Sequence, residues 1–183
     1  MTRPSLTYRL LLPTDLPAAW DLLTLGLNAV RATVNRPPLP KREEAFDLLT
    51  HLVRTDPEGC WCAEDAGRLV GIGLAALRGT HWFLSHFWVD LEHKQRGIGQ
   101  PLLARVWGYG VQNGAATYCT HASPDVAAHA HYVRYGMRPL WPVYRLEGNA
   151  DAVRRLAAKA EHLPQEPLSL QNFDTYASAL GQL

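Results

Sequence analysis

The sequence predicts an α/β fold built on a mixed sheet, and three observations carry that expectation. Two apolar runs, Cys60 to Ala63 and Leu69 to Leu77, are joined by Glu64-Asp65-Ala66-Gly67-Arg68, the acidic and glycine residues of a hairpin turn. Between Trp82 and Thr120 an apolar aromatic run, a glycine-rich turn, a helical pattern and a second short apolar run follow one another as a βαβ crossover requires. Hairpins and one parallel crossover in the same chain argue for a mixed sheet rather than a purely parallel one. With 183 residues, the chain is long enough to bury a continuous core in one domain.

Taken in order, Tyr8 to Pro13 alternates enough for a first strand, and Thr14-Asp15 offers a cap for a helix carrying Leu16, Trp20, Leu22, Leu23 and Leu27. Asn35-Arg36-Pro37-Pro38-Leu39-Pro40 cannot continue a helix and reads as a stiff loop before a second helix holding Phe46, Leu49 and Leu52. The hairpin comes next, then a strand from Trp82 to Val89. Pro101 to Val111 forms the helix after the glycine turn, with proline tolerated in its first turn. Ala115 to Thr120 returns as a strand, Asp125 to Tyr135 is helical, and Met137 to Leu146 is the last strand of the core. A main domain over 1–148 is expected, followed by a helical extension over 149–183 that Pro164 and Pro167 interrupt. Packing of this tail on the core and its exchange with a partner in a homodimer are both open.

Lys94-Gln95-Arg96-Gly97-Ile98-Gly99-Gln100 stands between the aromatic strand and the helix. Gly97 and Gly99 remove side chains that would hold a phosphate off the backbone, and glycine permits the positive φ at which successive amides converge. The helix aims its unpaired N–H groups at the same point. Lys94 and Arg96 add charge, and Gln95 and Gln100 add neutral donors. Charged hydrogen bonds contribute roughly 1.5–3 kcal/mol, against ~0.5–1.5 for neutral ones. The expected ligand therefore carries a phosphate or pyrophosphate. A Walker A loop is excluded because no Gly-Lys-Ser/Thr occurs, and no third glycine follows at dinucleotide-fold spacing.

A second motif, Asp125-x-x-Ala128-x-x-x-Tyr132-x-Arg134-x-Gly136-Met137, lies beyond the apolar run Ala115 to Cys119. The two motifs in the order strand, glycine turn, helix, strand, helix resemble the GNAT acetyltransferase superfamily over roughly Tyr8 to Leu146. The resemblance implies a mixed, mostly antiparallel sheet, splayed at the cofactor site and flanked by helices. It implies acetyl-coenzyme A as cosubstrate, with its pyrophosphate on Lys94 through Gln100 and its pantetheine arm on the main chain of Phe87, Trp88 and Val89. Asp125 and Ala128 belong to the same cofactor-binding set, and Tyr132 is placed near the thioester. The chain departs from the family pattern at Lys94, where arginine or glutamine is usual, at Asp125 for asparagine and at Met137 for phenylalanine. Lys94 keeps the cation without the guanidinium fork, and Asp125 can still cap its helix.

Composition sets the outer limits. Eighteen basic and 17 acidic residues leave a formal net charge of +1, which gives no reason to expect nucleic acid or an anionic membrane. Met1-Thr2-Arg3-Pro4 lacks the apolar run of a signal peptide, and no stretch is long and uncharged enough to span a bilayer, so a cytoplasmic protein is expected. Cys60, Cys62 and Cys119 are an odd number and read as reduced core thiols. No metal is expected, since His129 and His131 diverge on their helix instead of completing a ligand set.

Acetyl transfer to an amine needs a base for the nucleophile, donors for the developing oxyanion and a proton for the departing thiolate. Tyr132 suits the last role, because a phenol with reference pKa ~10 is protonated at neutral pH. Backbone N–H groups near Phe87 to Val89 suit the second. The resemblance puts Phe83, Ser85 and Phe87 on the face that meets the acceptor, with His86 turned away. Either a bulge turns His86 inward or a water relay through Ser85 removes the proton. Trp61, Trp82, Phe83, Phe87 and Trp88 could form an aromatic wall for a flat or cationic substrate, or simply fill the sheet core. A small-molecule amine is the expected acceptor. A non-catalytic acyl-coenzyme A sensor or regulatory half, or a transferase for a longer acyl donor, is the alternative.

Overall fold

A computed structural model describes residues 6–39, 47–123, 125–140, 149, 151, 154 and 155. Its elements follow the order β1 (Leu6–Leu10), α1 (Leu16–Thr33), α2 (Asp47–Thr55), β2 (Cys60–Asp65), β3 (Arg68–Arg78), β4 (His81–Val89), α3 (Gly99–Gln112), β5 (Thr117–Thr120) and α4 (Val126–Arg134). The five strands lie side by side in chain order. The β1–β2, β2–β3 and β3–β4 pairs are antiparallel, and only β4–β5 is parallel. The sheet is therefore mixed and mostly antiparallel, and α3 is the crossover that parallel pairing demands.

The hairpin between β2 and β3 closes on Ala66 and Gly67, with φ of 51° and 81°. Two successive left-handed residues make the turn whose twist matches antiparallel strands. Strand β3 is the centre of the sheet, and Val70, Ile72, Leu74 and Ala75 have no solvent exposure. Its continuous apolar run follows from cover on both faces. On one face Leu16, Ala19, Leu22 and Leu23 of α1 and Leu49, Leu52 and Val53 of α2 pack with Cys60, Cys62, Ile72, Leu74 and Trp88. On the other, Leu103 and Val106 of α3 and Tyr132 of α4 pack with Ala75, Trp82 and Leu84. Full burial of one such leucine is worth roughly 1.5–3 kcal/mol.

Two contacts fix the helices to the sheet. Trp82 is fully buried and donates its Nε1–H to the Val106 carbonyl oxygen at 3.2 Å. Trp88 lies so close to α1 that a Cβ at Gly26 would stand 1.8 Å from Cε2 of the indole. Only glycine admits this approach of helix backbone to ring. Asp56, 2 % exposed, ties three elements together, accepting from the Leu77 amide, from Arg78 at 2.8 Å and from the Tyr109 hydroxyl at 3.0 Å.

Several expectations are corrected. The first strand is Leu6–Leu10 and ends before Pro13, because Pro13–Asp15 forms a tight helical turn. Asp15 does not cap α1; its carboxylate accepts instead from the Leu12 amide at 2.8 Å and from Arg9 at 2.6 Å. Phe46 lies outside the described residues, as do 141–146 of the expected last strand, and Met137–Leu140 is not a strand. Contacts divide the chain into two compact units, Met1–Trp141 and Pro142–Leu183. In the second unit Arg154 donates to Asp151 at 2.8 Å. Among the described residues no helix is long and apolar enough to cross a membrane.

The most consequential correction concerns β4. Leu74 of β3 stands opposite His86, but Ala75 stands opposite Leu84, so Ser85 is an extra residue in the ladder. Such a bulge reverses side-chain parity beyond it. Opposite partners share a face, which puts Phe83, His86 and Trp88 with Ala76, Leu74 and Ile72 on the α1 side. Phe87 falls instead on the α3 and α4 side with Leu84. Phe83 and Phe87 thus do not share a face, as the expected set Phe83, Ser85 and Phe87 required, and His86 lies with Phe83.

Candidate active site

Strands β4 and β5 run together only from His81↔Thr117 to Leu84↔Thr120. Past that point β4 continues through Val89 with no β5 partner, and the Thr120 hydroxyl donates to the Leu84 carbonyl at 2.9 Å where the strands part. The fork opens into a cleft of about 390 Å³ lined by Phe87, Trp88 and Val89, by the glycine turn and by α4.

The glycine turn takes the expected left-handed conformation at Gly97, but its second left-handed residue is Gln95 and not Gly99. Gln95 and Gly97 both take positive φ, 66° and 78°, and α3 begins at Gly99. Alternating left-handed residues ahead of a helix turn consecutive amides toward one concavity, a nest for an anion. Gly97 has open space where a Cβ would be, so its conformation rather than crowding selects glycine. The turn is held from behind. Arg96 pairs with Asp65 at 3.2 Å, and the two ring nitrogens of His93 lie 3.5 Å from Asp65 and 3.5 Å from Asp90. Asp90, 2 % exposed, pairs in turn with Arg68. The β2–β3 hairpin thereby anchors the segment that leads into α3.

Across the cleft, Asp125 caps α4 by accepting from the amides of Ala127 at 2.9 Å and Ala128 at 3.2 Å. The same carboxylate receives Lys94 Nζ at 2.7 Å. Lys94, together with these amides, holds the Asp125 carboxyl below the usual carboxylate range. Lys94 Nζ also lies 5.4 Å from the centre of the Trp88 ring. Tyr132, 9 % exposed, lines the cleft with its ring 6.3 Å from that of Phe87. Burial, with the Asp125 charge nearby, pushes its phenol up to about 12. Its proton is therefore retained throughout the neutral range.

Of the residues singled out from the sequence, Phe87, Trp88, Val89, Lys94, Gln95, Gly97, Ile98, Gly99, Gln100, Asp125, Ala128 and Tyr132 line the cleft. Arg96 and Ser85 do not, Arg96 having turned to Asp65. Ser85 stands at the fork, its Oγ 3.0 Å from His86 Nδ1, and burial pushes the His86 imidazole down. Of the aromatic wall only Phe87 and Trp88 reach the cleft, whereas Trp82 is core. His93, Ser123, His131 and Arg134 line it too and went unremarked as binding residues. His131 is three positions after Ala128 on the same helix face, a spacing that could have flagged it.

The donor set suits a phosphorylated ligand: a backbone nest, a helix start and one lysine. No comparable case exists for a metal among the described residues. Among the described residues one grouping, Asp90, Glu92 and His93, brings potential ligand atoms within 4.8 Å of one another, and Arg68 is already seated against both carboxylates.

No curated protein matches this chain. Solved structures do. A GNAT-family acetyltransferase of Staphylococcus aureus Mu50 superposes with a TM-score of 0.60 at 16% identity, over 75% of this chain and 87% of that one. The PaiA N-acetyltransferase of Thermoplasma acidophilum, in complex with coenzyme A, gives 0.58 at 16%, over 72% and 88%. Diaminobutyrate acetyltransferase of Paenibacillus lautus, in complex with L-2,4-diaminobutyric acid and coenzyme A, gives 0.53 at 20%, over 72% and 75%. These likenesses establish the fold. The sequence profile of the acetyltransferase (GNAT) family matches residues 27–137, which spans the strand fork, the glycine turn and the capped helix with Tyr132. On that match the chain belongs to the GNAT family, acyltransferases that use acetyl-coenzyme A.

Proposed function

We propose that this protein transfers an acetyl group from acetyl-coenzyme A to the primary amine of a small molecule, by direct attack with both substrates bound. The observation that carries the reading is the convergence of the glycine turn, the unpaired end of β4 and Tyr132 on one cleft. Acetyl-coenzyme A, when bound, supplies the thioester whose carbonyl the amine attacks.

The chain's own groups divide the work. The amides from Gln95 to Gln100, with Lys94 freed from Asp125, hold a pyrophosphate, and Asp125 and Ala128 close the far wall. Arg96 acts from outside the cleft by fixing the turn to Asp65. The main chain of Phe87, Trp88 and Val89, which β5 leaves unpaired, offers donors to an extended arm and to the charge that develops on the carbonyl oxygen. Tyr132 keeps a proton on Oη at neutral pH and can give it to a leaving thiolate. To Ser85, which stands at the fork just outside the cleft lining, we assign transfer of the acceptor's proton. A small-molecule amine accords with the fold shared with the diaminobutyrate enzyme, whose complex holds such a substrate.

Calorimetric titration with acetyl-coenzyme A, against dephospho-coenzyme A and ATP, tests the cofactor site, and a free-thiol assay over an amine panel tests transfer. Micromolar binding with thiol release on one or more small amines is expected. Absence of binding at millimolar ligand overturns the assignment. Gly97→Glu should abolish binding, because it forces a bulky anion into a left-handed position at the phosphate site.

A further inference from the structure

The acetyl-transfer reading leaves the amine's proton without a destination, and β4 supplies one. Three observations meet at the fork. Ser85 is the bulged residue of β4, immediately after the last β4–β5 pair, Leu84↔Thr120. Its Oγ lies 3.0 Å from Nδ1 of the next side chain, His86. The bulge puts His86 on the face of Phe83, opposite to Phe87, whose ring neighbours Tyr132 on the other side of the sheet. In a regular strand, adjacent side chains point apart and could not bond in this way. The bulge therefore does more than bend the strand: it folds a hydroxyl back onto an imidazole at the point where the sheet opens.

We propose that Ser85 and His86 form a proton relay for the acceptor amine, Ser85 Oγ–H donating to Nδ1 of a neutral His86 whose Nε2 carries the ring proton. As the acceptor's ammonium loses one proton to Ser85 Oγ, the hydroxyl proton of Ser85 passes to His86 Nδ1. The amine is left with its lone pair, the serine is unchanged and the imidazole becomes an imidazolium. The reverse relay returns that proton to solvent after the product leaves. Removal of the amine proton on the α1 side and delivery of a proton to the thiolate by Tyr132 on the α4 side would use opposite faces of one strand, so acid and base need not share a pocket. Burial of His86 lowers its pKa and keeps the imidazole in the proton-accepting form. Ser85 stands at the fork beside the cleft and not in its lining, so it is the group assigned to take the amine's proton there, and His86 acts through it as a positioning and proton-storing residue. The inference rests on the acetyl-transfer reading, and its test has a readout that does not depend on turnover.

The full chain, labelled with ¹⁵N-histidine, is examined by long-range ¹H–¹⁵N correlation at pH 7.5, with His86→Gln identifying the signal. The expected result is a neutral His86 protonated at Nε2, with an Nδ1 resonance that shifts in Ser85→Ala. His86→Gln and Ser85→Ala should each lower kcat by on the order of 10²-fold, the low end for a general base, with acetyl-coenzyme A affinity unchanged. The double variant should lose no more than either single one. A ring protonated at Nδ1, or an imidazolium at this pH, overturns the relay, because the ring then donates to Ser85 and cannot take its proton. Full kcat in His86→Gln overturns it as well. A wild-type chain that binds acetyl-coenzyme A and releases no thiol with any amine overturns the acetyl-transfer reading and the relay together, which the tautomer result alone cannot do.

Discussion

Lys94 Nζ meets Asp125 Oδ2 at 2.7 Å across the cleft, so the cation nearest the glycine turn is already neutralised by the residue that caps α4. An arriving phosphate has to compete with a carboxylate for it. Asp125→Asn should keep the cap, since asparagine accepts from the same two amides, while freeing Lys94. Coenzyme A affinity should rise several-fold, about 1 kcal/mol, the scale of a partly exposed ion pair. Lys94→Met should lower it. Calorimetry on the three proteins at two salt concentrations checks both, and a weaker Asp125→Asn complex would show that the carboxylate assists the ligand.

Tyr132→Phe removes one hydroxyl from a ring that is otherwise packed against Phe87 and Leu84. The core contact survives, so folding and acetyl-coenzyme A binding should be near wild type. Turnover should fall by roughly 10²-fold or more, as expected when a proton donor is lost. Equal kcat in the variant would remove Tyr132 from the chemistry.

The hairpin turn, the glycine turn and the capped helix were legible because each is written in neighbouring residues: Asp65-Ala66-Gly67-Arg68, Gln95 through Gly99, and Asp125 ahead of Val126. Long-range polar partners were not. Nothing near Asp15 indicates that Arg9 and the Leu12 amide will claim its carboxylate, and nothing near Arg96 points to Asp65. The bulge was hidden for another reason. His81 to Val89 is bulky or aromatic on both faces of the pleat, so its pattern carries no alternation from which an inserted residue could be read. The extra residue became visible only through the partner strand, where Leu74 and Ala75 skip Ser85.

Gly26→Ala sets two effects against each other. Alanine favours a helix interior by about 1 kcal/mol over glycine. The added methyl would stand 1.8 Å from the Trp88 ring, and overpacking of a fixed core costs about 1–3 kcal/mol, more where neither partner can yield. Trp88 is 8 % exposed and α1 is anchored along its length, so the clash should win. Urea unfolding should show a lower midpoint. A higher one would mean that α1 can lift from the indole without loss.

Stability should fall in acid. Burial of Asp56 works against its charge, but the hydrogen bonds from Thr55, Leu77, Arg78 and Tyr109 outweigh it and hold the carboxyl below the ordinary range. Asp125 is held down by Lys94 and the α4 amides, and Asp15 chiefly by Arg9. A depressed folded pKa contributes stability that is complete above the unfolded value, roughly 3.9, and is lost as pH falls through the folded one. Unfolding midpoints should decline modestly from pH 7 to about 5, where the unfolded chain takes up protons that burial denies His86 and His131 in the folded one, and further below about 4 as the carboxylates titrate. Asp56→Asn should be less stable at neutral pH and show a shallower acid decline; an unchanged decline would place the acid sensitivity elsewhere.

The bulge gives β4 one residue of slack in its length. Side chains before and after Ser85 are out of phase by one step, and each half is matched to its own set of helices. Removing that one residue would make Leu84 and His86 neighbours opposite Ala75 and Leu74, a regular ladder in which no side chain has to turn over. Trp82 and Leu84 would stay on α3, and Phe87 and Trp88 would keep the α4 and α1 sides. The strand would lose its hydroxyl at the fork and nothing of its packing, whereas one more residue inserted beyond the bulge would have no such place to go.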